Sequence, residues 1–214
     1  MALGKKVLNI YNNNKYWLLL LVILFLSATP ILLMKKGTCL MSLNHLIEMD
    51  LDVIWKIITW LGDGLLLIPL ALLILLINKK LGTLLLFNYF ISGILAQILK
   101  RIIQAPRPVK YYAQNGLDIF KTMSVPEATT LSSQLSFPSG HTTSAFAFGV
   151  CLILNLKSNA LKAFVLFLAI AVGISRMYWR QHFFEDVYTG AILGSITALF
   201  IQLAEPKLKA RFNA

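Results

Sequence analysis

Six apolar runs divide this chain: Trp17–Met34, Leu65–Ile77, Leu81–Ile98, Thr142–Leu156, Leu161–Ser175 and Val187–Leu203. No other feature narrows its folding options as much. A helix needs about 20 apolar residues to cross the hydrocarbon of a bilayer. Backbone in lipid must satisfy its own hydrogen bonds, which an unclosed sheet cannot do. The runs therefore predict an all-α integral membrane protein with six transmembrane helices, forming a single domain over residues 1–214. Composition agrees. Hydrophobic residues make up 57% of the chain and charged residues 14%, against about 45–50% and 25% in soluble domains. A net charge of +11 raises the question of nucleic acid. The basic residues are scattered between apolar runs and form no stripe. Topology and anion binding account for them better, and no nucleic-acid partner is expected.

The first run follows Lys5, Lys6 and Lys15. It is longer than the apolar part of a signal peptide and no small-x-small cleavage site follows it, so it reads as a retained span. The second run is short and must borrow from residues 54–64 to cross. Ahead of it, Leu43, Ile47, Leu51, Ile54, Ile58 and Leu61 recur at helical spacing, with Trp55 and Trp60 among them. This predicts an interfacial amphipathic helix before the second span, or else an extension of that span. Asp63, in Gly62-Asp63-Gly64, reads as a helix cap. Asn78-Lys79-Lys80 leaves room only for a tight turn, so the second and third runs are antiparallel neighbours. Cys39 and Cys151 lack metal-ligand spacing and read as unpaired thiols. Six spans place both termini on one side. Leaving out three basic residues assigned to a site below, ten lie on the side of the termini and seven opposite. That bias predicts cytoplasmic termini and outward-facing polar loops in a multi-pass protein of the cell (inner) membrane.

Three polar patches fall on this outer face. The first runs from Lys100 to Pro108. Lys100 closes the third run, Arg107 follows about two helical turns later, and the prolines end the helix and fix Arg107 in a rigid turn. In the second, Phe137-Pro138-Ser139-Gly140-His141, Ser139 is a natural N-cap. Gly140 permits close backbone approach, and a helix N-terminus offers free N–H groups to an anion. The third is Ser175 to Asp186. Arg176 closes the fifth run, and Asp186 follows His182 by four residues, one face of a helix. A carboxylate on one imidazole nitrogen fixes the tautomer and leaves the other nitrogen nucleophilic. Glu185 is a rival partner. Arg180 and Glu185 otherwise read as surface or supporting groups, and His45 has no such company.

Together the patches supply the parts of phosphoryl transfer, which needs positive charge and N–H donors around phosphate oxygens. Lys100, Arg107 and Arg176 bring charge. Ser139 and Gly140 bring donors. His182 is the candidate nucleophile, Asp186 its partner, and His141 the candidate acid. Set out as Lys100-x6-Arg107-Pro108, Pro138-Ser139-Gly140-His141 and Ser175-Arg176-x5-His182-x3-Asp186, the chain resembles the type 2 phosphatidic acid phosphatase family, with its signature within residues 100–186. The resemblance implies hydrolysis of a phosphate monoester or pyrophosphate on a lipid through a phosphohistidine, with neither metal nor cofactor. It implies His182 as nucleophile, Asp186 as its partner, His141 as general acid, and the other signature residues as phosphate ligands.

Two other classes are open to the same residues. A metallohydrolase would use His141, His182 and Asp186 or Glu185 as ligands, but the neighbouring cations oppose a metal ion. A lipid transporter or flippase would carry its polar groups near the midplane, whereas here they sit at the ends of runs. Candidate substrates are undecaprenyl pyrophosphate, lipid A phosphates, phosphatidylglycerol phosphate and phosphatidic acid. The 109–137 segment is a candidate lid or headgroup-reading surface, and oligomeric state is not legible.

Overall fold

The computed structural model describes residues 2–43, 51–116 and 134–212. Its helices, in chain order, are α1 (Ala2–Leu32), α2 (Thr38–Met41), α3 (Asp52–Trp60), α4 (Gly64–Ile77), α5 (Lys79–Ile103), α6 (Pro108–Gln114), α7 (Gly140–Asn155), α8 (Asn159–Tyr178) and α9 (Phe184–Phe212). No strand occurs among the described residues, as the all-α expectation requires.

The bundle is built around α7, against which α9, α8 and α5 pack most extensively. Thr142 through Cys151 are all buried. Small residues make this possible. Without a hydrophobic drive between helices in lipid, close approach depends on small side chains. Gly190 and Gly194 on α9 serve that purpose. A Cβ on Gly190 would lie 2.7 Å from the Ser139 carbonyl oxygen, and one on Gly194 3.0 Å from Phe146 Cβ. The outer helices are the reverse, with large apolar side chains facing out: Leu65 is 89% exposed and Ile77 83%. Such a surface suits a hydrocarbon solvent.

Among the described residues, four helical segments are long and apolar enough to cross a membrane: Ile10–Leu32, Lys79–Gln114, Asn159–Tyr178 and Phe184–Glu205. A fifth arises if α3 and α4, bent by 49° at the break between them, are one broken span. The sixth expected span, α7, has only 16 residues, about 24 Å of helix. It is short for a bilayer core, but its protein neighbours cover it on nearly every side. Of residues 54–64, expected to complete the second run, 54–60 belong to α3, which is bent away from it rather than forming one rod with it. The residues expected to form an interfacial helix include α3, which has no buried residue and lies against α8; residues 44–50 fall outside the described residues. Asn78 alone joins α4 to α5, and its side chain caps α5 through Leu81 N at 3.0 Å. Cys39 and Cys151 are unpaired.

Candidate active site

Four parts of the chain meet at one end of the bundle. They are the α5–α6 junction, the turn before α7, the α8–α9 link, and the bend between α3 and α4. All three polar patches of the sequence are among them.

The α8–α9 link wraps back over the end of α8. Arg180 is left-handed at φ 52, and the Gln181 and His182 N–H groups both donate to the Arg176 carbonyl, at 3.1 and 3.3 Å. A left-handed residue commonly closes a helix this way, though outside glycine it costs roughly 1–2 kcal/mol. The Arg180 side chain helps hold it: Nη1 donates to the Leu40 carbonyl at 2.7 Å. Arg180 is thus a fully buried brace at 1% exposure, not a surface group. A long side chain with a fixed acceptor below the link is invisible in local spacing.

This wrapping places His182 ahead of α9, at 2% exposure. Asp186, in the first turn of α9, meets it at 3.4 Å between Nδ1 and Oδ2. His182 and Asp186 therefore meet across the start of α9 rather than on one helical face. Asp186 reaches back to the chain before its helix, in the manner of a capping box, and Oδ2 accepts from Phe183 N at 2.9 Å. Ser136 donates to the same oxygen at 2.5 Å and lies 3.4 Å from His182 Nδ1. Glu185, the rival, pairs with Lys36 at 2.9 Å instead. Ser136 was missed because it precedes the Pro138–His141 patch and nothing in its spacing ties it to Asp186. Burial, then Arg176, Arg107, Lys100 and His141, hold the His182 pKa well below the ordinary histidine value. The imidazole is therefore neutral at physiological pH, the form with a free lone pair.

The cations around it are held by backbone and neutral groups. Lys100 Nζ donates to the Leu135 carbonyl at 2.6 Å. Arg107 is the N-cap of α6, ahead of Pro108, because α5 stops at Ile103 and Gln104 turns left-handed. Lys100 and Arg107 thus converge across a turn rather than along two helical turns. Arg107 Nε donates to Gln134 O at 3.2 Å, and its Nη1 to the Gln181 side-chain oxygen. Arg176 Nη1 donates to Thr59 Oγ1 at 2.6 Å, while its buried Nε has no partner. That orphaned donor is what an incoming anion would satisfy.

Ser139 occupies the N-cap position of α7, but its side chain makes no capping bond. Its hydroxyl accepts from Thr142 Oγ1 at 2.9 Å, and its N–H donates to the Asp186 carbonyl at 2.9 Å. Gly140 lies over Lys100, whose Cε is 3.9 Å from where a Cβ would stand. His141 Nε2 is 3.3 Å from Asp63 Oδ2. Asp63 does cap α4, accepting from Leu65 N at 2.9 Å, so the cap expectation was right but incomplete. A cavity of about 670 Å³ opens beside Asp63, Gly140 and His141 and runs between α4 and α5 past Ile68, Phe90 and Ile94. Among the described residues no three His, Cys, Asp or Glu side chains form a set able to hold a metal ion. Of the 109–137 segment, Pro108–Gln114 forms α6, whose Tyr111 packs edge-on against Phe183; residues 117–133 fall outside the described residues.

Fold and site together define a multi-pass helical membrane protein with a cation-ringed histidine centre at one end of its bundle. Residues 81–209 match the model of the PAP2 superfamily, and the chain belongs to that superfamily. Curated relatives include the bacitracin transport permease protein BcrC of Bacillus licheniformis, 44% identical over 34% of this chain and 35% of the relative. Lipid phosphate phosphatase 2 of Arabidopsis thaliana is 30% identical over 56% of this chain and 48% of the relative. Lipid A 1-phosphatase of Rhizobium johnstonii is 34% identical over 53% and 43%. The matches span between about a third and a half of these relatives' lengths. Among solved structures, Aquifex aeolicus LpxE aligns with a TM-score of 0.64 at 24% identity, over 78% of this chain and 93% of that one. The PAP2-type phosphatidylglycerolphosphate phosphatase of Bacillus subtilis aligns with a TM-score of 0.59 at 23% identity, over 92% and 97%. These two show a shared fold.

Proposed function

We propose that this protein is an integral-membrane lipid phosphatase that works through a phosphohistidine on His182. The observation that carries the proposal is the setting of His182. It is buried and neutral, faces Asp186 through Nδ1, and is ringed by Lys100, Arg107 and Arg176. In this reading the three cations and the Gly140 N–H draw in a phosphate. Nε2 of His182 attacks phosphorus in line, and the bond to the lipid oxygen breaks. His141 gives that oxygen its proton. Asp186 stabilises the positive charge arising on the ring. Water then attacks the phosphohistidine, losing a proton to His141. Phosphate leaves and His182 is restored. Ser139 supports the cradle through its backbone, since Thr142 donates to its hydroxyl.

The apolar cavity that begins at His141 suits the lipid body of the leaving group. A phosphate monoester or pyrophosphate fits the site equally. Undecaprenyl pyrophosphate, lipid A phosphates, phosphatidylglycerol phosphate and phosphatidic acid are the substrates to compare. The accompanying topology is a single domain of six spans over residues 1–214, in the cell (inner) membrane. Its termini are cytoplasmic and its site faces the periplasm or exterior. No metal is assigned a role. The test is phosphate release from that substrate panel by purified protein in detergent and chelator. Release that His182→Ala abolishes supports the proposal. Activity lost to chelator and restored by zinc would replace it with a metallohydrolase.

A further inference from the structure

The α3–α4 bend lies outside the residues matched by the superfamily model, 81–209, yet it touches the site twice. Thr59 holds Arg176, and Asp63 faces His141. The bend is built to come this close. A Cβ on Gly62 would fall 2.8 Å from the His141 carbonyl oxygen and 2.7 Å from Val172 Cγ1. Any side chain there would push the bend, and Asp63 with it, away from α7. Asp63 therefore reaches His141 because the residue before it is glycine.

The contact answers a need of the chemistry. A general acid must carry its proton when the lipid oxygen leaves. Burial, then the charges of Arg176 and Arg107, lower the His141 pKa from the ordinary histidine value to about 4. A carboxylate on Nε2 opposes them. It also leaves Nδ1 as the ring nitrogen free to serve the leaving oxygen. We infer that Asp63 is a positioning residue that orients His141 and favours its protonated form for donation to the leaving lipid oxygen. This rests on the phosphatase reading above. It gives the active site a fourth contributing segment and a second histidine–carboxylate pair.

Because Asp63 also caps α4, the test must separate charge from cap. Asn is as good an N-cap as Asp, so Asp63→Asn removes the charge alone. With a lipid phosphate, Asp63→Asn lowers kcat by about 10–100-fold, within the range of a general acid's contribution, with KM and thermal midpoint unchanged. The basic limb of its kcat–pH profile moves to lower pH. With an aryl phosphate, whose leaving group needs no proton, the loss nearly disappears. Asp63→Glu restores part of the lipid rate. Asp63→Ser, another strong cap, repeats the Asn result should that variant fold poorly. An unmoved basic limb with equal losses on both substrates would overturn the inference and leave Asp63 a cap. If the wild-type protein releases no phosphate from any lipid, the phosphatase reading and this inference fall together. An active wild type with an Asp63→Asn variant that matches it overturns Asp63 alone.

Discussion

Two histidine–carboxylate pairs stand in this site at nearly equal distances, and they differ in almost everything else. His182 and Asp186 are 3.4 Å apart, each 2% exposed, and two donors, Ser136 Oγ and Phe183 N, converge on the carboxylate oxygen that His182 faces. His141 and Asp63 are 3.3 Å apart, 31% and 36% exposed, and open onto the cavity between α4 and α5. The first pair is dry and locked. The second is partly exposed and reachable. A nucleophile benefits from a fixed ring stripped of water, because the cost of ordering it is met on folding. An acid that later becomes a base must meet a lipid oxygen and then a water. On the proposed mechanism, similar ion-pair geometry serves two tasks, and burial separates them.

Breaking the locked pair has the largest expected effect. His182→Ala lowers phosphate release by at least about 10⁴-fold, measured on the preferred lipid with substrate binding retained. Asp186→Asn comes next, about 10³–10⁴-fold, because an amide supports the wrong tautomer. Ser136→Ala removes one of the donors on Asp186 and costs about 10-fold in kcat, the worth of a single hydrogen bond. Its effect and that of Asp186→Asn are less than additive, because both act through one carboxylate.

The smallest effect is one of pH. His182 is held neutral well below its ordinary pKa, so the unfolded chain takes up a proton first as pH falls. Stability is full above about pH 6.5 and declines below it, by at most about 1.4 kcal/mol per pH unit from this group. Turnover does not lose its nucleophile in that window. A thermal melt series in detergent from pH 7.5 to 5, for wild type and His182→Gln, checks this. Only the wild type carries the His182 part of the slope.

The contrast between the pairs also explains what could be read from the residues alone. The His182–Asp186 pair lies within one short stretch, so local spacing named it, even though His182 proved to stand before its helix. Lys100, Arg107, Ser139, Gly140, His141 and Arg176 were named by the same logic, and all lie at one end of the bundle. Ser136 was not named, and Asp63 was named only as a helix cap. Their partners come from distant elements, and only the packing of the α3–α4 bend and the pre-α7 turn brings them in. Arg180, expected as a surface or supporting group, is a supporting one, and only its buried acceptor, the Leu40 carbonyl, decides between the two. At α7 the count of spans rests on hydropathy alone. Its apolar run marks burial, and a helix buried in protein and one that crosses lipid look alike in hydropathy.

The central claim is that His182 becomes the covalent carrier of the phosphoryl group. Rapid quenching of the wild-type protein during turnover of a ³²P-labelled lipid phosphate tests it most directly. The account predicts a labelled protein whose phosphate is stable in base and lost in acid, as a phosphoramidate is. The label should map to the Ser175–Asp186 stretch and be absent from His182→Ala. It should accumulate when the second step is slowed by His141→Ala on an aryl phosphate. Turnover with no labelled protein at any quench time, or label that persists in His182→Ala, would contradict it.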